Sequence, residues 1–218
     1  AGGDKDSIGR LPDTTGMKDE FVIFKKHHFF YDRYYEAPGG KLVWIGDEDG
    51  CSSADLSNAI GPNTAAVCYL IKGGTNLSES VPSIEETRRI ANDAGVPVIV
   101  DAASQNYPLE YFRDTAQSAD LVCFAGKYFG APSQTGFVCG REDLVKAVSR
   151  QGFVAAQTGD RPRGIGRPMK VDRQAVIGLV VALQEWFDMD HQRRFEGYVA
   201  MATVIQDKLR GVPSVSAE

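Results

Sequence analysis

The chain has 218 residues, of which 43% are hydrophobic and 24% charged, and its formal net charge is −5. This apolar content supports a folded core and excludes global disorder. The longest apolar run falls short of the roughly 18 residues of a membrane span, and no stretch with the composition of a signal peptide opens the sequence. The acidic balance argues against nucleic-acid binding through bulk charge. We therefore expect a cytoplasmic globular protein.

Four cysteines occur, at positions 51, 68, 123 and 139, and no pair has the CxxC spacing of a zinc or redox site. The last three lie inside apolar, strand-like runs, which favours buried and reduced thiols. The chain has only three histidines. We therefore predict no metal centre.

The first twenty residues are polar and rich in glycine and aspartate, and they predict a loop. Beyond them, short apolar runs predict strands, and capped periodic segments predict helices. The segment 150–170 is rich in glycine, arginine and proline and predicts a long loop. Strands are predicted at 21–25, 41–45, 64–71, 96–101, 120–126 and 136–140, and helices at 29–36, 53–60, 85–94, 142–149, 171–186 and 190–209.

The alternation of these elements predicts an α/β fold, with a mostly parallel sheet and flanking helices. Only about a dozen residues separate Phe124 from Phe137, which is too few for a crossover helix. The strand at 136–140 is therefore predicted to run antiparallel to its neighbour. Residues 1–188 form the predicted large domain, and 189–218 form the start of a small C-terminal domain.

Two charged side chains stand at the predicted carboxyl ends of strands, where open α/β sheets bind their ligands. Asp101 ends one apolar strand, and Lys127 follows the next. They could form a structural ion pair with each other, because a buried carboxylate is costly without a cationic partner. Alternatively they could hold pyridoxal phosphate (PLP), which needs a lysine for a Schiff base, a carboxylate at the pyridine nitrogen and a flat side chain stacked on the ring. His27 could supply that flat side chain, or could be a polar loop residue.

Several motifs together resemble one enzyme family. They are Asp-Ala-Ala-x-Gln at 101–105, Gly-Lys followed by Pro and Gly at 126–136, Ile-Gly-Arg-Pro-Met-Lys-Val at 165–171, Leu-Pro-Asp-Thr at 11–14 and His-x-x-x-Tyr-Asp at 27–32. Along nearly its whole length the chain is similar to fold-type I PLP enzymes of the selenocysteine synthase (L-seryl-tRNA selenium transferase) and D-glucosaminate-6-phosphate ammonia-lyase group. The lyase branch is the more similar of the two.

The resemblance implies the large domain of a PLP-dependent transferase and assigns roles to single residues. Lys127 would form the Schiff base with the cofactor and later move the α-proton of the substrate. Asp101 would hold the pyridine nitrogen, and His27 would stack on the ring. Gln105 would reach the ring hydroxyl or the substrate, and Ser104 would contribute to the cofactor site.

The substrate contacts and three departures from the family pattern follow from the same resemblance. Arg167 is expected to bind a substrate carboxylate or phosphate, since a guanidinium suits oxyanions, with a solvated loop arginine as the alternative. His28 stands where relatives usually have arginine, so a substrate contact there becomes pH-dependent. Ala125 replaces a serine whose hydroxyl helps to hold the cofactor phosphate. The N-terminal segment with the main phosphate cradle is expected to be absent, and the C-terminal domain shortened.

The implied reaction is α-proton abstraction and β-elimination with ammonia release from a small anionic amino acid or amino-sugar acid, catalysed by a homo-oligomer. Two alternatives stay open. A selenium transferase-like enzyme would bind tRNA, which needs a basic surface that a net charge of −5 does not favour. A non-catalytic homologue or inactive fragment is favoured by Ala125 and the missing cradle, and opposed by the intact Asp101, Gln105 and Lys127.

Overall fold

A computed structural model describes residues 1–71, 80–157 and 164–216, and in these ranges the chain forms one sheet with flanking helices. Residues 72–79, which follow the third predicted strand, lie outside the described residues, as do residues 158–163 of the loop expected at 150–170. The strands are β1 (Glu20–Phe24), β2 (Lys41–Ile45), β3 (Thr64–Leu70), β4 (Val98–Asp101), β5 (Leu121–Ala125) and β6 (Gly136–Gly140). The helices are α1 (Lys5–Arg10), α2 (Arg33–Glu36), α3 (Ser53–Ala59), α4 (Ile84–Asp93), α5 (Leu109–Ser118), α6 (Glu142–Ser149), α7 (Arg173–Asp188) and α8 (His191–Leu209).

The six strands are arranged in the order β2-β1-β3-β4-β5-β6. The first five run parallel, and β6 runs antiparallel to β5, with Phe124 opposite Phe137. Both the α/β class and the single antiparallel strand are therefore confirmed. The register places Leu70, Asp101 and Cys123 side by side on neighbouring strands. This row marks the carboxyl edge of the sheet.

One face of the sheet carries the main hydrophobic core, which α3, α4, α5 and α7 cover. Alternate strand residues point to this face, as the pleat requires. The strands contribute Val22, Phe24, Val67, Val98, Val100 and Val122, and the helices contribute Leu56, Ala91, Phe112 and Trp186. Burying each large side chain of this kind stabilises the fold by about 1.5–3 kcal/mol. The sheet and its helices therefore hold the carboxyl edge on a rigid base.

Two helices lie where the sequence analysis predicted none. The short helix α1 lies inside the expected N-terminal loop, because Asp4 caps it by accepting a hydrogen bond from the Ser7 amide (2.8 Å) and Ile8 is completely buried. The helix α5 follows Pro108 and buries Phe112. It supplies the crossover that a parallel β4–β5 pair requires.

The helix expected at 29–36 is only partly formed. A 3-10 turn occupies Lys25–His27, and the helical residues of α2 begin at Arg33. Asp32 organises the segment between them, since its Oδ2 accepts hydrogen bonds from the Phe29 amide and lies 2.7 Å from Nδ1 of His28. The chain between β1 and α2 therefore has its own compact turn.

The two C-terminal helices meet at Met189, which lies beside the domain boundary predicted at 188–189. That division of the chain into domains stays a prediction. Among the residues that the structure describes, no helix is long and apolar enough to cross a membrane.

Candidate active site

Asp101 ends β4 as a partly buried carboxylate with no cation beside it. The Ala103 amide donates a hydrogen bond to its Oδ1 (3.0 Å). Burial raises the pKa of the carboxyl, the Ala103 bond lowers it, and the charge of Asp32 raises it further. No ion pair joins Asp101 to Lys127 or to another cation in the described ranges. The ion pair between Asp101 and Lys127 that the sequence allowed is therefore not formed. Among the described residues, the carboxylate of Asp101 has no cation that compensates its charge.

Lys127 lies at the same edge of the sheet, one strand away from Asp101. It belongs to the 3-10 turn Gly126–Phe129, which follows β5 directly and ends at Gly130 with φ 85°. A side chain at position 126 would collide with Oγ1 of Thr135. The Lys127 side chain is exposed, and its Nζ lies 5.0 Å from the centre of the Tyr128 ring. The ammonium is therefore open to a ligand.

A cavity of about 290 Å³ lies between the carboxyl ends of β1, β3 and β4 and the segment 29–35. Among the described residues that line it, half are aromatic, the charged groups are the carboxylates of Asp32 and Asp101, and none is a cation. A flat group with a positively charged edge is the kind of ligand that such walls bind best. The lining residues are Ile23, Phe29, Tyr31, Asp32, Tyr34, Tyr35, Cys68, Tyr69, Leu70 and Asp101.

The cavity lining contains a tyrosine and a cysteine that the sequence analysis missed. Tyr35 and Cys68 both line the cavity, and their hydroxyl and thiol groups interact electrostatically. Burial raises the pKa of both groups, that of Cys68 to about 12. Both are therefore neutral near pH 7. The two residues are 33 positions apart, and only the pairing of β1 with β3 and the fold of α2 bring them together, so no local pattern could have revealed them.

The two adjacent histidines occupy different environments. His27 is 2% exposed, its ring edge contacts Tyr69 (4.6 Å between ring centres), and its Nδ1 accepts a hydrogen bond from the Leu70 amide (3.4 Å). Tyr69 rather than His27 lines the cavity. His28 is exposed and pairs with Asp32 at the cavity wall. The structure therefore places both beside the cavity, and their roles stay predictions.

The remaining candidates lie at different distances from this edge. Gln105 is fully buried in the loop after β4, and its Nε2 donates to the Tyr107 carbonyl (3.2 Å). Its Oε1 accepts no hydrogen bond from any residue that the structure describes. Ser104 is half-buried in the same loop. Arg167 is exposed in a turn that its amide closes onto Gly164, and it does not line the cavity.

Comparison with known proteins gives the chain a family. No family model matches it. It is 31% identical, over its whole length, to the 5'-C-glycyluridine monooxygenase-decarboxylase of a Streptomyces species, of which it covers 52%. It is 30% identical over 84% of its length to the D-glucosaminate-6-phosphate ammonia lyase of Salmonella typhimurium, covering 47% of that protein. It is 33% identical over 71% of its length to an L-seryl-tRNA(Sec) selenium transferase of Rhizobium meliloti, covering 33% of that one.

Solved structures agree. A D-glucosaminate-6-phosphate ammonia-lyase superposes with a TM-score of 0.73 at 28% identity, over 87% of this chain and 48% of that one. A cysteine desulfurase of Escherichia coli shares the fold, with a TM-score of 0.58 at 17% identity over 96% of this chain and 56% of that one. The sheet, its one antiparallel strand and these neighbours define a PLP-dependent enzyme of fold type I.

Within that class, the chain belongs to the group that contains the D-glucosaminate-6-phosphate ammonia lyases and the selenocysteine synthases. The recognition made from the sequence is confirmed. The chain spans about half the length of the first two curated relatives. Membership of the group implies PLP as the cofactor.

The residues at the carboxyl edge fit this cofactor. The uncompensated Asp101 carboxylate suits the protonated pyridine nitrogen, and the aromatic lining of the cavity suits a flat ring. The buried Oε1 of Gln105 accepts no hydrogen bond from the described residues, so it is available to accept one from a ligand hydroxyl. Lys127 has an exposed amine and follows β5 directly, one strand away from Asp101, whereas the exposed Lys25 and Lys26 follow β1 at the same edge. These features carry the proposal that follows.

Proposed function

We propose that this protein belongs to an enzyme that uses PLP to remove the α-proton of a small amino acid or amino-sugar acid and to expel a β-hydroxyl, with release of ammonia. The observation that carries this proposal is the half-buried carboxylate of Asp101, which pairs with no cation among the described residues and lies one strand away from the exposed amine of Lys127. The 30% identity to the ammonia lyase supports the reaction type.

Each residue has a defined task in this proposal. PLP, when bound, supplies an electron sink for the negative charge that develops at the substrate α-carbon. Lys127 holds the cofactor aldehyde carbon through Nζ and, once displaced by the substrate amine, takes the α-proton on the same atom. Asp101 keeps the proton on the pyridine nitrogen. His27 and Tyr69 shape the ring-binding wall, and Gln105 accepts from a hydroxyl of the cofactor or substrate.

The overall reaction balances without an oxidant. The β-hydroxyl leaves as water, and one water is consumed when the amino group is released, so a 2-keto acid and ammonia are the products. A substrate anion needs a cation, and the described residues that line the cavity include none. Arg167 and His28 remain the proposed contacts, His28 with the advantage that it pairs with the cavity residue Asp32. Ser104 remains a proposed cofactor contact, and the homo-oligomer and the cytoplasmic location, which suits four free thiols, also remain proposals.

A second candidate reaction rests on the relative that aligns over the whole chain. That Streptomyces protein is named a monooxygenase-decarboxylase of a glycyluridine. Its name implies oxygen consumption and carbon dioxide release. The selenium transferase reaction is less well supported, because the net charge of −5 does not favour a tRNA partner. Product analysis separates the three reactions. The lyase releases ammonia without oxygen uptake, the monooxygenase-decarboxylase releases carbon dioxide with oxygen uptake, and the selenium transferase incorporates selenium.

The site itself is tested by borohydride reduction after incubation with PLP, followed by peptide mapping. We expect a phosphopyridoxyl group on Lys127, and we expect Lys127→Ala to abolish it. Lys208→Ala, in the exposed part of α8, is the matched control and should retain the Lys127 label. Labelling of Lys127 no faster than that of exposed surface lysines such as Lys208 would contradict the proposal and favour the non-catalytic homologue.

A further inference from the structure

Asn106 connects the loop after β4 to the turn that carries Lys127. Its side-chain Nδ2 donates a hydrogen bond to the carbonyl of Tyr128, the residue that follows Lys127. Its own backbone carbonyl accepts a hydrogen bond from Nε1 of Trp186 (3.0 Å), which lies 80 positions further along the chain in α7. One asparagine therefore joins three separate segments at the carboxyl edge of the sheet.

Trp186 is held from several directions, so its indole N–H has a fixed position. The side chain is 8% exposed, and the Arg194 guanidinium lies 4.2 Å from the ring centre. The His191 ring contacts the indole at 4.9 Å, and its Nε2 lies 2.8 Å from the Trp186 carbonyl. Because the packing has already ordered this ring, its hydrogen bond to Asn106 requires little further loss of side-chain entropy.

The same indole also packs directly on the turn of Lys127. Its ring centre lies 5.6 Å from that of Phe129, in an edge-to-face arrangement. In the described part of the chain, the Lys127 side chain contacts the neighbouring Tyr128 ring. Asn106 on one side and Trp186 on the other therefore add to the backbone hydrogen bonds of the turn, such as that from the Gly126 amide to the Thr135 carbonyl, in holding the Lys127 backbone.

We propose that Trp186 and Asn106 are positioning residues that hold the turn of Lys127 at the correct distance from the loop of Asp101 and Gln105. The proposal rests on the assignment of Lys127 as the cofactor lysine. The indole N–H fixes the Asn106 backbone, and the Asn106 amide fixes the Tyr128 carbonyl. Neither residue lines the cavity, and both act through the turn of Lys127 rather than on the substrate.

Two variants remove one hydrogen-bond donor each and leave most of the packing intact. Trp186→Phe deletes the indole N–H and keeps an aromatic ring against Phe129. Asn106→Asp keeps the size of the side chain but places a carboxylate against the Tyr128 carbonyl, to which it cannot donate. Asn58→Asp, on the exposed surface of α3, is the matched control for the change in charge.

The measurement is the rate of phosphopyridoxyl labelling of Lys127 relative to that of the exposed Lys208 in the same sample, followed across pH. We expect Trp186→Phe and Asn106→Asp to lower this ratio by about 2- to 10-fold, as the loss of one hydrogen bond predicts, and to shift the pH at which labelling of Lys127 reaches half its maximum. Asn58→Asp should match the parent in both respects. Partial unfolding would change both lysines together, so it would not reproduce this result.

The outcomes separate this proposal from the proposed function. A parent protein that does not label at Lys127 contradicts the assignment of the cofactor lysine, and the positioning role with it. A parent that labels at Lys127, together with two folded variants whose ratio and pH profile equal the parent's, contradicts the positioning role alone. If Trp186→Phe loses its cooperative melting transition, Asn106→Asp decides the matter.

Discussion

Asp101 on β4 and Cys123 on β5 are register partners, so a carboxylate and a thiol lie next to each other on the same face of the sheet. Burial raises the pKa of the Cys123 thiol to about 11, and the Asp101 charge contributes to that shift. The thiol therefore stays neutral near pH 7 and adds no second negative charge beside the carboxylate. No cation among the described residues pairs with Asp101, and a cationic ring nitrogen that enters the site would supply the counter-charge.

The first prediction concerns Asp101→Asn in the cofactor-free protein. We expect the variant to be more stable than the parent at pH 7, by about 1–3 kcal/mol, because a partly buried and unpaired charge disappears. Burial raises the pKa of Asp101 in the folded state above its value in the unfolded chain. As pH rises, the unfolded chain therefore releases this proton first, and the parent loses stability until the pH passes the folded pKa. The advantage of the variant should therefore vanish in acid.

Urea unfolding at several pH values, without added PLP, measures this difference. Asp49→Asn, in the exposed loop after β2, is the matched control and should leave stability unchanged within about 0.5 kcal/mol. A variant less stable than the parent at pH 7 would mean that Asp101 has a stabilising partner. With PLP added, the order should reverse, since a ligand that binds the folded state stabilises it.

The second prediction concerns the glycine before Lys127. A Cβ at position 126 would collide with Oγ1 of Thr135 and lie 3.0 Å from Cδ1 of Leu179. We expect Gly126→Ala to lower the free energy of unfolding by about 1–3 kcal/mol and to slow labelling of Lys127. Gly197→Ala, where an added Cβ meets nothing within 4 Å inside α8, should instead stabilise by about 0.5–1 kcal/mol. If Gly126→Ala and Gly197→Ala changed the free energy of unfolding equally, the added Cβ at position 126 would be accommodated without moving the turn of Lys127.

The third prediction concerns Asp120, which is completely buried just before β5. Its carboxylate accepts hydrogen bonds from the Val98 amide (2.8 Å) and from Nε of Arg88 (3.2 Å), and Arg141 lies 3.8 Å away. We expect Asp120→Ala to cost about 3–5 kcal/mol, because it removes the buried carboxylate that pairs with Arg88 and leaves the buried Val98 amide without its acceptor. Chemical denaturation measures this loss.

A matched control for Asp120 is available on the surface. Asp143 pairs with the same arginine, Arg141, at 2.7 Å, but its side chain is 62% exposed. Asp143→Ala should therefore cost no more than about 1 kcal/mol. Similar losses for the two alanine variants would mean that the burial of Asp120 adds nothing to its ion pairs.

The fourth prediction concerns the reactivity of the thiols. Burial raises the pKa of Cys68 to about 12 and that of Cys123 to about 11, and Cys68 is 1% exposed. Because the thiolate is the reactive form, a thiol reagent at pH 8 should modify Cys51 and Cys139 before Cys123, and Cys68 last. Mass spectrometry of timed samples gives the order, and all four should react together in urea. Early modification of Cys68 would contradict the Tyr35–Cys68 arrangement.

The sheet could be predicted from the sequence because each strand is a short apolar run with clear breakers. The antiparallel direction of β6 followed from the dozen residues between Phe124 and Phe137. The helix α5 was missed because it is short, has no side-chain cap after Pro108 and mixes charged with aromatic residues, although Leu109, Phe112 and Ala116 recur at helical spacing on its core face. Similarly, α1 depends on the cap at Asp4, a signal hidden in a polar segment.

The carboxyl-edge residues could be predicted because parallel strands bring their ends together whatever lies between them. Asp101 and Lys127 both followed from that rule. The Tyr35–Cys68 pair and the contact of Trp186 with Asn106 could not be predicted, because they join segments that are far apart in sequence and depend on how α2 and α7 pack. Patterns of spacing carry no information on such contacts.

The burial of α8 is confined to its beginning. His191 is its one buried residue in the described part of the chain, and Arg194 is the next most enclosed in the first turns. Hydrogen exchange should therefore be fast at the far end of α8 and become slow only near Trp186. Unfolding of α8 from its C-terminal end should therefore stop before it reaches Trp186. The hydrogen bond between Trp186 and Asn106, and with it the turn of Lys127, then stays in place while the far end of α8 opens.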